Sequence, residues 1–277
     1  MKITEEFLQN RPLSKSSLME FNKSPKHYIH YLQKKKKDSE AMRTGTLLDI
    51  RLLTPDQFDK KIVIVDSIPG ERIKGYEGFM AVYKEQKVIP ATQSEIDNID
   101  NAIEAAMNTP EVRLYIDGIK KTQIEMRWHN KKNNLPLLGY VDFETMVSDQ
   151  LFIGDLKKTR SADPDDFTRD IYKYGYHIQA AAYLDAYKYK QFRFPYFINL
   201  CIELEEPYGC SIMFYESKTI QEAQDEFYGL LDAFRYCMDN DLFHMGYEFR
   251  LMQQSSYFAV RKPGYYRPNF TREIAQK

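Results

Sequence analysis

At 277 residues, with 43% apolar and 14% aromatic side chains, the chain can bury a sizeable core, and no break in composition divides it. Its start, MKITEEFLQNRPLSKSS, lacks the apolar stretch of a secretion signal, and nowhere do about 18 apolar residues run together, so a folded cytoplasmic protein with no membrane span is expected. Three cysteines (Cys201, Cys210, Cys237) without CxxC spacing argue against a disulfide framework, a zinc finger or an iron–sulfur cluster and are expected to be buried thiols.

The net charge of −1 hides an uneven distribution. Between Arg11 and Lys37 stand eight basic residues (Arg11, Lys15, Lys23, Lys26, Lys34, Lys35, Lys36, Lys37) against one acid, Glu20. Such a stretch suits a footprint on phosphates, and equally a solvated helix followed by a lysine-rich loop.

In chain order, LSKSSLMEFNKSPKHYIHYLQ predicts two short helices. Ser17 with Glu20 forms a capping-box pattern, and Ser24-Pro25 supplies an N-cap and a first-turn proline. TGTLLDIRLLTP predicts a helix opened by Thr44 or Thr46 and ended before Pro55, and FDKKIVIV reads as a strand. Ile96, Ile99, Ile103 and Met107 then repeat at helical spacing behind Ser94, a core stripe with no chemistry implied.

Three strands follow, TQIEMRWHN, LLGYVDFETMV and LFIGDLKKT; the turns NKKNN and SDQ make them an antiparallel meander. IYKYGYHIQAAAYLDAYKY predicts one long helix over a face of that sheet, PYFINLCIELEEP and GCSIMFYES add two strands, and KTIQEAQDEFYGLLDAFRYCMDN a final helix. Strands with helices before and after them indicate a layered α/β domain spanning 1–277, with 216–277 forming the last helix and an aromatic, basic tail that includes FAVRKPGYYRPNF.

The unusual residues lie in the meander. Asp155 and Lys157 alternate to one side of their strand, with Leu156 on the other. A turn centred on Ser148-Asp149-Gln150 pairs position 142 near 155 or 156, setting Asp142 beside Asp155, where two carboxylates repel and resist desolvation. A bound divalent cation removes that penalty, and oxygen ligands without His or Cys favour Mg2+ or Mn2+ over zinc. The bland alternative is an exposed edge pair and a solvated hairpin residue. Gln179 and Tyr183, four apart, share a face of the next helix and can lie over the carboxylates.

G-Y-V-D, twelve residues, D-L-K, and then Q-A-A-A-Y resembles the PD-(D/E)xK nuclease superfamily, in the branch of RecE-type exonuclease VIII and RecB-like nuclease domains, which shares a Q-x3-Y element after its DxK strand. LSKSSLMEFNKSPKHYIHYL and ELEEPYGCSIMFY resemble further elements of that branch, so the likeness covers roughly 13 to 215. It implies a restriction-endonuclease-like fold: a central mixed β-sheet with an antiparallel meander, flanked by helices.

The resemblance further implies that Asp142, Asp155 and the backbone carbonyl of Leu156 hold Mg2+ (or Mn2+), that Lys157 orients a water and stabilises developing charge, and that Gln179 and Tyr183 bond the phosphate or the water. Relatives carry G-T-x-x-H before the sheet, whereas Gly45-Thr46-Leu47-Leu48-Asp49 places an acid there. Asp49 is therefore the third expected oxygen ligand, with Glu144 as its substitute. Pro164-Asp165-Asp166 matches the superfamily name only by accident and is expected to cap a helix.

The activity implied is exonucleolytic digestion of duplex DNA ends, 5′ to 3′, leaving 3′ single strands for phage-type recombination beside a single-strand annealing protein, in a homo-oligomeric ring of three or four subunits. Lys15, Ser17 and Lys26 become candidate phosphate contacts, and Tyr28 and Tyr31 are better explained by packing than by stacking on bases. Two other readings are a nuclease of the CRISPR-adaptation type, whose usual cysteine cluster is absent here, and a DNA-end-binding protein that kept the fold without turnover.

Overall fold

The structure, a computed structural model, describes residues 2–34, 39–188 and 194–249. Lys35, Lys36 and Lys37 of the basic run and the tail FAVRKPGYYRPNF lie outside the described residues.

Four helices open the chain: α1 (Glu5–Asn10), α2 (Lys15–Lys23), α3 (Pro25–Gln33) and α4 (Glu40–Leu53). The capping box of α2 is formed by Ser14 and Ser17, not by Ser17 and Glu20. Ser14 takes the extended conformation an N-cap needs, and Ser17 replaces the usual Glu as the side chain that reaches back to it. Helix α4 starts five residues ahead of Gly45 behind an N-capping Ser39, because Thr44 and Thr46 return their hydroxyls to carbonyls one turn earlier instead of capping.

The segment expected as a strand at FDKKIVIV divides into a single helical turn, α5 (Phe58–Lys61), and a short strand, β1 (Ile62–Ile64). β1 pairs in parallel with β2 (Ile89–Ala91) across α6 (Tyr76–Glu85). α7 (Gln93–Asn108) is capped by Thr92 with Glu95 rather than by Ser94, and α8 (Pro110–Asp117) follows.

The main sheet has five strands in the order β3 (Ile119–Asn130), β4 (Leu135–Val147), β5 (Gln150–Thr159), β6 (Tyr196–Glu203), β7 (Cys210–Phe214). β3, β4 and β5 form the antiparallel meander; β6 runs parallel to β5, and β7 antiparallel to β6. The β4–β5 turn is tighter than the sequence suggests: Val147 pairs with Gln150, and only Ser148 and Asp149, both at positive φ, lie between them.

A parallel neighbour requires a crossover, supplied by α9 (Pro164–Lys173) and α10 (Tyr176–Tyr187). The single helix expected here is broken because Gly175 sits in the left-handed region at φ 67. Asp163 caps α9, with Asp165 and Asp166 in its first turn, so the PDD run serves a helix start. α11 (Ser217–Asp239) lies last.

The sheet separates two hydrophobic cores. On one face Val141, Ile153, Phe197 and Cys201 pack with α2, α3, α9, α10 and α11; on the other Phe143, Leu156, Ile198 and Leu200 pack with α4, α7 and α8. Tyr28 is buried in the first, edge-on to Phe234, which supports packing as its role. Cys201 and Cys237 are buried thiols, while Cys210 is only half-buried. Among the described residues, no helix is long and apolar enough to cross a membrane.

Candidate active site

The site forms where β4 and β5 part. Their ladder runs from Val147↔Gln150 to Phe143↔Gly154 and stops one step short of Asp142. There the strand's alternation also switches, with Val141 on one face of the sheet and Phe143 on the other. On the neighbouring strand Gln123, between the partners of Val141 and Phe143, takes φ 53. Asp142 therefore occupies an irregularity, and its Oδ2 accepts the backbone N–H of Leu156 at 2.8 Å, in place of a strand carbonyl. In an extended strand the N–H and C=O of one residue face the same edge, so the Leu156 carbonyl faces the same gap.

Asp155 is buried at 3% exposure on the α10 face of β5. Its Oδ1 accepts from Gln179 Nε2, and its Oδ2 is ion-paired with Lys157 Nζ without a well-directed hydrogen bond. Gln179 Nε2 also lies 3.2 Å from the Tyr183 hydroxyl, so both side chains of the Q-x3-Y element sit over the carboxylate as their spacing predicts. Two glycines make room. A Cβ at Gly139 would stand 2.5 Å from Tyr183 Cε1, and one at Gly154 would collide with the Phe143 ring.

The site is crowded with negative charge. Asp142 is held well above the ordinary carboxylate range by burial, then by Asp155 and Asp49, against which Lys157 and the Leu156 N–H pull only partly. Asp49 on α4 is pushed up to about 7 by burial and by Asp155. Lys157 is raised: burial opposes its charge, but Asp155, Tyr176 and Asp142 outweigh it. Burial likewise pushes Tyr183 up, with Asp155 adding to it.

Among the described residues, no group of three or more His, Cys, Asp or Glu is placed to hold a metal ion as it stands. In this arrangement Lys157 and Gln179 hold Asp155, and the Leu156 N–H holds Asp142. The donor set fits a hard divalent cation, since the candidate ligand atoms are all oxygens and two of the three acids are driven toward neutrality, with Lys157 offsetting the excess negative charge only in part.

Residues 14–245 match the family described as "PDDEXK-like domain of unknown function (DUF3799)". The chain belongs to this family. Superfamily members of the PD-(D/E)xK type generally use divalent metals. No curated protein sequence matches the chain significantly.

Among solved structures, this PDDEXK-like chain is similar to a protein from Eubacterium rectale described as a "putative exonuclease", with TM-score 0.57 and 15% identity over 86% of this chain and 88% of that one. At that identity the likeness shows the shared fold. A second structure, SSO0001, matches at TM-score 0.27 and 13% identity over 67% of this chain and 85% of its own, which is too little to carry any argument.

Of the residues singled out in the sequence, Asp142, Asp155, Leu156, Lys157, Gln179 and Tyr183 meet at the gap in this PDDEXK-like sheet, and Asp49 lies within reach of their charges. Glu144 is committed elsewhere, to the Tyr187 hydroxyl at 2.6 Å and Lys121 at 2.9 Å. Ser17 is buried with its hydroxyl spent in the α2 cap, and Lys26 is exposed on α3, beside Met245. Lys15 does reach the site, where its charge acts on Lys157 and Asp155.

Two participants escaped the sequence. Tyr176 packs against Lys157, and Asn199, the in-register partner of Asp155 on β6, has its Oδ1 bonded by Tyr215 at 2.6 Å and its buried Nδ2 unpartnered. The signal for Asn199 was a lone buried amide in FINLCIE, a run otherwise apolar except for its last residue.

Proposed function

We propose that this protein is a metal-dependent exodeoxyribonuclease that hydrolyses phosphodiester bonds from the ends of duplex DNA. The observation that carries the reading is the convergence of Asp142, Asp155 and Lys157, with Gln179 over them, at the point where β4 and β5 part. Membership of a PDDEXK-like family supports nuclease chemistry. The preference for ends, 5′ to 3′ polarity, a recombination role beside an annealing protein and a ring assembly rest on the RecE-like resemblance alone, to which the description of the Eubacterium rectale protein adds support only for exonuclease action.

Asp142, Asp155 and the Leu156 carbonyl would hold Mg2+ or Mn2+, with Asp49 completing the set. When bound, the cation neutralises these acids and draws charge from the phosphate. The chain's own groups do the rest. Lys157 leaves part of its pairing with Asp155 to stabilise negative charge developing on the phosphoryl oxygens. Gln179 keeps Asp155 from rotating, and the Tyr183 hydroxyl, kept protonated by burial, donates to a phosphate oxygen or to the attacking water.

The test uses linear duplex DNA labelled at either end, incubated with Mg2+ or Mn2+, with chelator, and with Asp155→Asn. Release of nucleotides from one end, abolished by chelator and by the variant, is the expected result. No release with either metal removes the nuclease reading, and equal cutting of circular DNA removes the dependence on ends.

A further inference from the structure

Beside the paired carboxylates, one aromatic ring holds two ammonium groups. Lys157 Nζ lies 4.4 Å from the centroid of the Tyr176 ring, and Lys15 Nζ lies 5.1 Å from the same centroid. Lys15 also donates to the backbone carbonyl of Tyr174 at 2.6 Å. The chain brings these groups together through its local structure. Gly175 turns left-handed, so that Tyr174 ends α9 and Tyr176 begins α10, and Lys15 is the first residue of α2, which packs beside α10. The Tyr176 ring is itself fixed by stacking on Phe167, with centroids 5.8 Å apart at 20°.

The partners of Lys15 are unusual for a partly buried cation. Neither a carbonyl oxygen nor an aromatic face carries a formal charge, so both hold the ammonium in place without neutralising it. A carboxylate would hold Lys15 more strongly but would also cancel its attraction for a phosphate. Lys157 stands between the two situations, paired with Asp155 on one side and resting against Tyr176 on the other.

We propose that Tyr176 is a positioning residue, whose ring keeps Lys157 aimed along the Asp155 side of the gap and seats Lys15 as a second, unneutralised cation for a backbone phosphate of the DNA strand at the site. The inference rests on the nuclease reading for its substrate, but its geometry stands independently. Burial and the neighbouring Lys157 lower Lys15 to about 8, with Asp155 opposing, as expected of a cation that has no ion-pair partner among the described residues and gains one when substrate arrives.

The experiment is 13C reductive methylation of the lysines in the full chain, followed by NMR of wild type, Tyr176→Phe and Tyr176→Met, with Lys15→Gln and Lys157→Gln to assign the two resonances. Thermal unfolding confirms that each variant is folded. In wild type and Tyr176→Phe both methyl resonances should be shifted upfield by the ring, and in Tyr176→Met both should return to the position of exposed lysines. In turnover of end-labelled duplex, Tyr176→Phe should stay within about threefold of wild type, and Tyr176→Met should lose about tenfold in kcat/KM, between the scales of an exposed and a desolvated cation–π contact.

Unshifted resonances in wild type overturn the proposal whatever the variants do. So does a Tyr176→Phe variant as impaired as Tyr176→Met, which would assign the effect to the hydroxyl. Ring-shifted resonances in a wild-type protein that releases no nucleotides would keep the positioning geometry and remove the nuclease reading instead.

Discussion

The carboxylate of Asp142 bonds the backbone N–H of Leu156 at 2.8 Å, so a side chain takes the place of main chain in the sheet at the point where two strands separate. One residue thereby serves both the sheet and the proposed metal site, and substitutions should separate the two. Asp142→Asn keeps an oxygen for Leu156 and removes a charge that burial already opposes. Its metal-free stability should equal or exceed wild type while hydrolysis falls by about 100-fold or more. Asp142→Ala leaves a buried N–H unsatisfied and should cost about 1–3 kcal/mol. Urea unfolding in chelator checks the order; an alanine variant more stable than the asparagine variant would show that the Leu156 bond matters little.

Asp49 makes a pH-dependent contribution to the stability of the metal-free protein. Its pKa rises from 3.8 to about 7 on folding, so between those values the folded chain binds more protons than the unfolded one. The contribution is favourable at low pH and is lost as pH rises through about 7; Asp142, shifted in the same direction, acts with the same sign. In chelator, wild type should therefore lose stability relative to Asp49→Asn as pH is raised from about 5 to about 8. Comparing the two proteins cancels the titrating groups outside the cluster and reads Asp49 together with its effect on Asp142, whereas parallel stability curves across that range would place Asp49 outside the acidic cluster.

The contrast between what the sequence revealed and what it hid follows from range. Asp155-Leu156-Lys157 and Gln179 with Tyr183 were legible because strand and helix periods alone decide which side chains share a face, and nothing later in the chain alters that. Misplaced features depended on competition between near neighbours. Ser14 takes the N-cap of α2 and leaves Ser17 the role expected of Glu20, Thr92 outcompetes Ser94 through Glu95, and the apolar pattern of 171–187 runs through a Gly175 that turns left-handed. Lys15 was singled out as a phosphate contact, but its meeting with Tyr176 was harder to see, because that contact spans the fold and neither residue type announces it.

Lys157 and Asp155 should behave as a buried pair that is costly to break and cheap to remove. Lys157→Met leaves Asp155, at 3% exposure, without its counter-charge, and about 3–5 kcal/mol of stability should be lost. Adding Asp155→Asn should recover most of that loss, since the amide still accepts from Gln179 and carries no charge. Turnover should remain absent in both. A double-mutant cycle by chemical unfolding measures the coupling; additive losses would mean the pair is too solvated to matter.

Gly139 tests whether the helix over the gap must sit where it does. A methyl group there would stand 2.5 Å from Tyr183 Cε1, closer than packed atoms tolerate, so Gly139→Ala must displace the ring. The Tyr183 hydroxyl lies 3.2 Å from Gln179, which in turn holds Asp155, so the displacement is passed to the carboxylate. Gly139→Ala should cost about 1–3 kcal/mol of stability and lower kcat by about tenfold or more, because an ångström of misplacement is expensive in catalysis. Replacing Tyr183 by Leu in the same background should restore stability without restoring turnover. Should the double variant recover both, Tyr183 would be filling space rather than acting at the site, and only Gln179 would remain as a partner of Asp155 on that helix.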